Sequence, residues 1–129
     1  MLAPCSFDYA IVRVLPRVER EEFVNAGVIV FCHARDFLAA RVELDVARLQ
    51  ALAKDVDIAL IQRHLAAIPR LCRGGPEAGA LGTLNQRERF SWLTAPKSTM
   101  LQTSAAHSGL CSDPEQALER LLERVVRAP

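Results

Sequence analysis

Between residues 7 and 15 the apolar positions step by two, with Tyr9, Ile11 and Leu15 alternating against Ala10, Val12 and Val14. Both faces are apolar, which predicts a strand covered on both sides. Arg13 is the one charge inside it, on the Tyr9 and Ile11 face, and Pro16 ends the ladder because it has no N–H to donate. The charged stretch 18–25 predicts a short helical turn anchored by Phe23 and Val24, and Asn25 followed by Gly27 marks a tight turn or bulge. Residues 26–33, AGVIVFCH, form the most continuous β-branched and aromatic run and read as the central strand. Residues 37–44 set Leu38, Ala40, Val42 and Leu44 against Ala39, Arg41 and Glu43, the pattern of a strand with one face in water. Connections this short favour antiparallel neighbours, since parallel strands need long crossovers.

The period then changes from two to three and four. Asp45 is placed to cap a helix with Val46, Leu49, Leu52 and Ala53 on one side. Asp55 or Asp57 starts a second, in which Ile58, Ile61, Leu65 and Ile68 form a stripe, Gln62 and Arg63 lean outward and His64 stands at the boundary. Pro69 weakens its end, and the Gly-rich segment up to Gly82 reads as a flexible surface loop. That segment lacks the Lys-Ser/Thr ending of a phosphate cradle and follows a helix, not a strand. Residues 85–93 predict a short helix burying Phe90 with either Leu93 or Trp92, stopped by Pro96. Residues 99–104 suit a fourth strand and 105–112 a loop. Asp113 and Pro114 then open the clearest helix, whose stripe is Leu118, Leu121, Leu122, Val125 and Val126. The expected fold is α+β in the order β, β, β, α, α, α, β, α. It is a small, mostly antiparallel sheet of three sequential strands plus a later fourth, covered by helices, with residues 1–129 as a single domain.

Composition narrows the function classes. Half of the 129 residues are hydrophobic and 24% are charged, a globular balance far from that of disordered chains. Sixteen Lys and Arg against fifteen Asp and Glu leave a net charge of +1, without the basic excess that phosphate neutralisation demands, so nucleic acid is not an expected partner. No apolar run approaches the roughly 18 residues of a membrane span, and residues 1–6 show no export signal, so a cytoplasmic protein is expected. Cys5, Cys32, Cys72 and Cys111 include no short pair and read as reduced, mostly buried thiols.

Candidate chemistry concentrates between residues 89 and 114, where polar side chains exceed what a packing pattern explains. Lys97, Ser98, Thr99, Gln102 and His107, with Arg13 nearby, are the candidate binding residues for an anion or a protein partner. Turn chemistry around Pro96 accounts for the same letters without a ligand. Cys32, His33, His107 and Cys111 offer zinc-ligand types, or a Cys and His nucleophile pair. Without a short Cys pair or a visible orienting group, neither is expected, and no metal or cofactor is assigned. No carboxylate pair stands out for acid–base work, so no catalytic residue is named.

FDYAIVRVLPRVEREEFVNAGVIVFC at residues 7–32 and RFSWLTAPKSTMLQTSAAHSGLCSDP at residues 89–114 resemble, in the same order, a small bacterial family known as domain of unknown function 3037. The resemblance runs from Phe7 to the last helix. It implies no activity and no site residues, but it does imply context, because such genes often lie beside one for a kinase-like protein similar to the HipA toxin family. The expectation is therefore an interaction or accessory protein for such a partner, with self-association left open. The alternative is a small anion- or nucleotide-binding domain or enzyme that uses Arg13, Ser98, Thr99 and His107.

Overall fold

Residues 3–128 are described by a computed structural model. The three sequential strands form in the expected order, β1 (Cys5–Val14), β2 (Val24–Cys32) and β3 (Phe37–Val42), pairing antiparallel as β3-β2-β1, but β2 begins at Val24, so Val24 and Asn25, read as part of a helical turn, belong to the strand. Single 3-10 turns, Val18–Arg20 and His33–Arg35, join them. Each turn closes on a residue of positive φ, Glu21 at 56° and Asp36 at 52°, whose N–H returns to the Val18 or His33 carbonyl.

Gly27 sits at a bulge. Val12 pairs with Gly27 but Arg13 pairs with Asn25, so Ala26 is an extra residue and the alternation of β2 inverts there. As a result Ala26, Ile29 and Phe31 face one core while Val28, Val30 and Cys32 face the other. A Cβ on Gly27 would lie 2.7 Å from the Arg41 carbonyl oxygen and 3.0 Å from Val42 Cγ1. Gly27→Ala is expected to destabilise the protein by about 1–3 kcal/mol, the usual cost of overpacking. A urea midpoint equal to that of the wild type would show that β3 moves aside freely.

The far edge of β1 differs from expectation. It pairs with β4 (Leu101–Thr103) along Val12–Val14 and with β5 (His107–Cys111) along Cys5–Tyr9. The sheet therefore has five strands, and part of residues 105–112, read as a loop, is a strand. Ser104 makes the break: its N–H donates to the Ile11 carbonyl at 2.9 Å, and its hydroxyl accepts from the Ile11 N–H at 2.9 Å. One extra residue then fits between β4 and β5. Gly109 lies under the Phe7 ring, where a Cβ would stand 2.9 Å from ring carbons. Alternation could not reveal β5, because its Leu110 is 76% exposed and its inward row is His107, Gly109 and Cys111.

Helices cover both faces. α1 (Val46–Leu52), α2 (Ile58–Arg73) and α3 (Gln86–Thr94) pack on Val12, Val14, Ile29 and Phe31, while α4 (Pro114–Leu122) and the π turn Glu123–Arg127 pack on Phe7, Val28 and Val30. The caps are Asp45, Asp57, Asn85 and Asp113, and Asn85 forms a reciprocal capping box with Glu88. The face of β3 expected in water lies under α4, where Phe37 and Ala39 join the second core and Arg41 pairs with Glu119. α2 continues through Pro69 to Arg73, and residues Pro76–Thr83 form 3-10 turns kinked at Gly79. Its end is held by Arg89, a buried residue of α3, which donates to the Cys72 carbonyl at 3.2 Å and to the Leu84 carbonyl. Gly74, at φ 73°, gives this guanidinium room, since a Cβ would approach Arg89 Cζ to 2.9 Å. Among the described residues, no helix is long and apolar enough to cross a membrane.

Candidate functional site

The six candidate binding residues do not meet in one place. Lys97 Nζ donates to the Trp92, Ala95 and Leu93 carbonyls at 2.9, 3.2 and 3.3 Å and stands 4.8 Å from the Trp92 ring centroid. An ammonium has three donors, and all three close the end of α3. Burial lowers the Lys97 pKa. Thr99 Oγ1 donates to the Leu101 carbonyl at 3.0 Å, and Gln102 Nε2 donates to the Thr99 carbonyl at 2.9 Å. Ser98 is exposed in the same bend. Arg13 alternates with Val12 and Val14 and so projects to the α4 side, where its guanidinium lies 4.3 Å from the Phe23 ring centroid. His107 is also on that side, 5.4 Å from the Tyr9 ring, and its partner position is four residues from Arg13 along β1, about 13 Å at the rise of a strand.

Lys97, Thr99 and Gln102 do border a cleft. It has a volume of about 490 Å³ and runs between α2, the end of α3 and β4. Ala67, Ile68 and Leu71 form one wall, Trp92 and Leu93 another, and Val12 and Leu101 the floor. A second hollow of about 440 Å³ shares His64, Thr99 and Leu101 with it and adds Leu60, Ile61 and Met100. The ionisable side chains lining the first cleft are Arg63, His64 and Lys97, with no carboxylate among them. Trp92, the only tryptophan, is 46% exposed, while Phe90 and Leu93 are the buried pair of α3. The periodicity left Leu93 and Trp92 as alternatives; Leu93 takes the core position and Trp92 the cleft wall.

The cleft ends at an open sheet edge. Because the Ser104 N–H points inward to Ile11, strand alternation turns the N–H groups of Leu101 and Thr103 outward. β4 pairs with β1 alone among the described strands, so the outward N–H groups of Leu101 and Thr103 are open to another strand, while the outward Leu101 carbonyl already accepts from Thr99 Oγ1.

A separate cluster lies at the opposite end of the sheet, on the α4 side. Cys5 and Cys111 are directly opposed across β1 and β5, and Cys32 comes in from the end of β2. Cys5 Sγ is 3.5 Å from Cys32 Sγ and 4.0 Å from Cys111 Sγ. Of the four zinc-ligand types noted in the sequence, where no metal site is expected, Cys32 and Cys111 are thus together, but with Cys5. His33 turns to the Phe31 ring and His107 to Tyr9. Folding brings the thiols together over 106 residues of sequence separation, which spacing could not show.

With sulfurs this close, ionising one thiol makes the next harder to ionise. Burial opposes ionisation of Cys5, but hydrogen bonds from Cys32 and Cys111 and the nearby Arg35 guanidinium outweigh it and lower its pKa. The remaining protons are then held more firmly. Burial and the Cys5 sulfur raise the Cys32 pKa and push Cys111 up to about 11. Cys72, in the other core, is pushed up to about 12 by burial. In the reduced, metal-free protein, iodoacetamide is expected to label Cys5 first and Cys72 last, as peptide mass mapping at pH 8 would show. Labelling of Cys72 ahead of Cys5 would contradict this order.

The arrangement as a whole is a helix-covered, mostly antiparallel α+β fold with an apolar cleft beside an open sheet edge. The family model described as protein of unknown function (DUF3037) matches residues 9–126, and the chain belongs to that family. No curated protein and no solved structure matches the chain. The matched span holds the whole cleft and two of the clustered thiols, with Cys5 just before it.

Proposed function

We propose that the protein is an interaction module that receives an extended segment of a partner protein along the outer edge of β4, with an apolar side chain of that segment seated in the cleft. The observation that carries this reading is the junction of the two features. Leu101 lies on the cleft floor and in the free edge strand, so one bound chain would make both backbone and side-chain contacts. Arg63 and His64 at the rim, with no carboxylate lining the cleft, favour a segment that carries acidic residues beside its apolar anchor. The kinase-like protein implied by the family's gene context is the partner of choice. An anion-binding centre made of Arg13, Ser98, Thr99 and His107 has less support, because those residues are divided between the two faces.

Co-expression with the kinase-like neighbour tests the proposal. The two proteins are expected to elute together, and Thr103→Pro, which removes an outward N–H while leaving the inward bonds to β1, is expected to separate them. Co-elution that survives Thr103→Pro, or separate elution of the wild-type proteins at micromolar concentration, would count against it.

A further inference from the structure

We infer that Cys5, Cys32 and Cys111 form a three-thiolate site for a soft, closed-shell metal ion, with Cu⁺ favoured over Zn²⁺. The geometry is close to what such an ion requires. With metal–sulfur bonds of about 2.3 Å, ligand sulfurs stand about 3.8 Å apart around a tetrahedral centre and about 4.0 Å apart around a trigonal one. Here two separations are 3.5 and 4.0 Å, and all three sulfurs lie within 4.8 Å of one another. No histidine or carboxylate joins the group among the described residues, and a set of three soft donors suits trigonal Cu⁺; Zn²⁺ would need a solvent molecule to complete four.

The strands that carry the ligands make the site rigid. Cys5 and Cys111 are fixed as an opposed pair by the β1–β5 register, and Cys32 is fully buried at the end of β2. Access is from outside, since Cys5 and Cys111 are half-buried and a hollow of about 270 Å³ under α4 reaches Cys111. On binding, each thiol releases its proton to solvent as its sulfur closes on the ion, and no electron is transferred. Three thiolates leave a net negative charge around either ion, which Arg35 beside Cys5 offsets in part. This site lies on the other face from the cleft and does not depend on the partner reading.

The test is a metal titration of the reduced protein without oxygen. One arm uses Cu⁺ competed with bicinchoninate, the other Zn²⁺ competed with a pyridylazo indicator. One ion per chain is expected, with Cu⁺ drawn from its chelator. Cys5→Ser and Cys111→Ser, each checked for an unchanged circular dichroism spectrum, are expected to lose this competition, whereas Cys72→Ala is expected to retain it. One equivalent of Zn²⁺ with the same mutational pattern would support three-sulfur binding with solvent as the fourth ligand. In the wild type, bound metal should protect Cys5 and Cys111 from N-ethylmaleimide. Failure of both ions to compete, or metal uptake unchanged in Cys5→Ser, would overturn the inference.

Discussion

Arg89→Met is expected to lower the free energy of unfolding by about 3 kcal/mol, within the range for losing buried hydrogen bonds and leaving imperfectly filled space. Among the described residues no carboxylate pairs with Arg89, yet it is buried. Its compensation is the pair of carbonyls it bridges, Cys72 at the end of α2 and Leu84 before α3, together with the negative end of the α2 dipole. Met fills much of the volume but leaves both carbonyls without a donor. Lys should not rescue the loss, because a single ammonium cannot reproduce a planar fork between two elements. Urea denaturation of the Met and Lys variants measures the effect, and a change below about 0.5 kcal/mol, the level of an ordinary surface substitution, would contradict this account of the α2–α3 junction.

The largest effect on binding is expected from Ala67→Glu. Ala67 is exposed on α2 and lines the cleft, so the substitution should change stability by no more than about 0.5 kcal/mol. In the proposed complex, the new carboxylate would occupy the space assigned to the partner's apolar anchor and repel an acidic segment. Loss of a central anchor of this kind costs about 3 kcal/mol, a fall in affinity of about 100-fold. Calorimetric titration of the proposed kinase-like partner into both forms measures the difference. Equal affinities would place the contact elsewhere on the surface.

The elements most legible in the sequence were those whose pattern and caps agreed. β1 and β3 followed alternation and β2 its continuous β-branched and aromatic run, Asp57, one of the two caps considered, and Asp113 opened their helices, and Leu118, Leu122 and Val126 reached the core. What escaped was set by tertiary contact. Arg89 looked like part of a polar helix but is buried because two distant carbonyls meet its guanidinium. β5 has no hydrophobic period because it is an edge strand, and its register depends on Ser104 bonding to Ile11. The polar stretch around Pro96 was visible, but Lys97, Thr99 and Gln102 mainly satisfy nearby carbonyls. The cleft itself is walled by Ala67, Ile68 and Leu71, ordinary helix residues until α2 and β4 are placed side by side.

The central proposal, that a partner chain adds to the edge of β4, is tested most directly by amide hydrogen exchange of the protein alone and with the proposed kinase-like partner. The account predicts slowed exchange at the outward amides of Leu101 and Thr103, accompanied by a shift in Trp92 fluorescence. Unchanged exchange at those two amides, with protection confined to the α4 face, would contradict it.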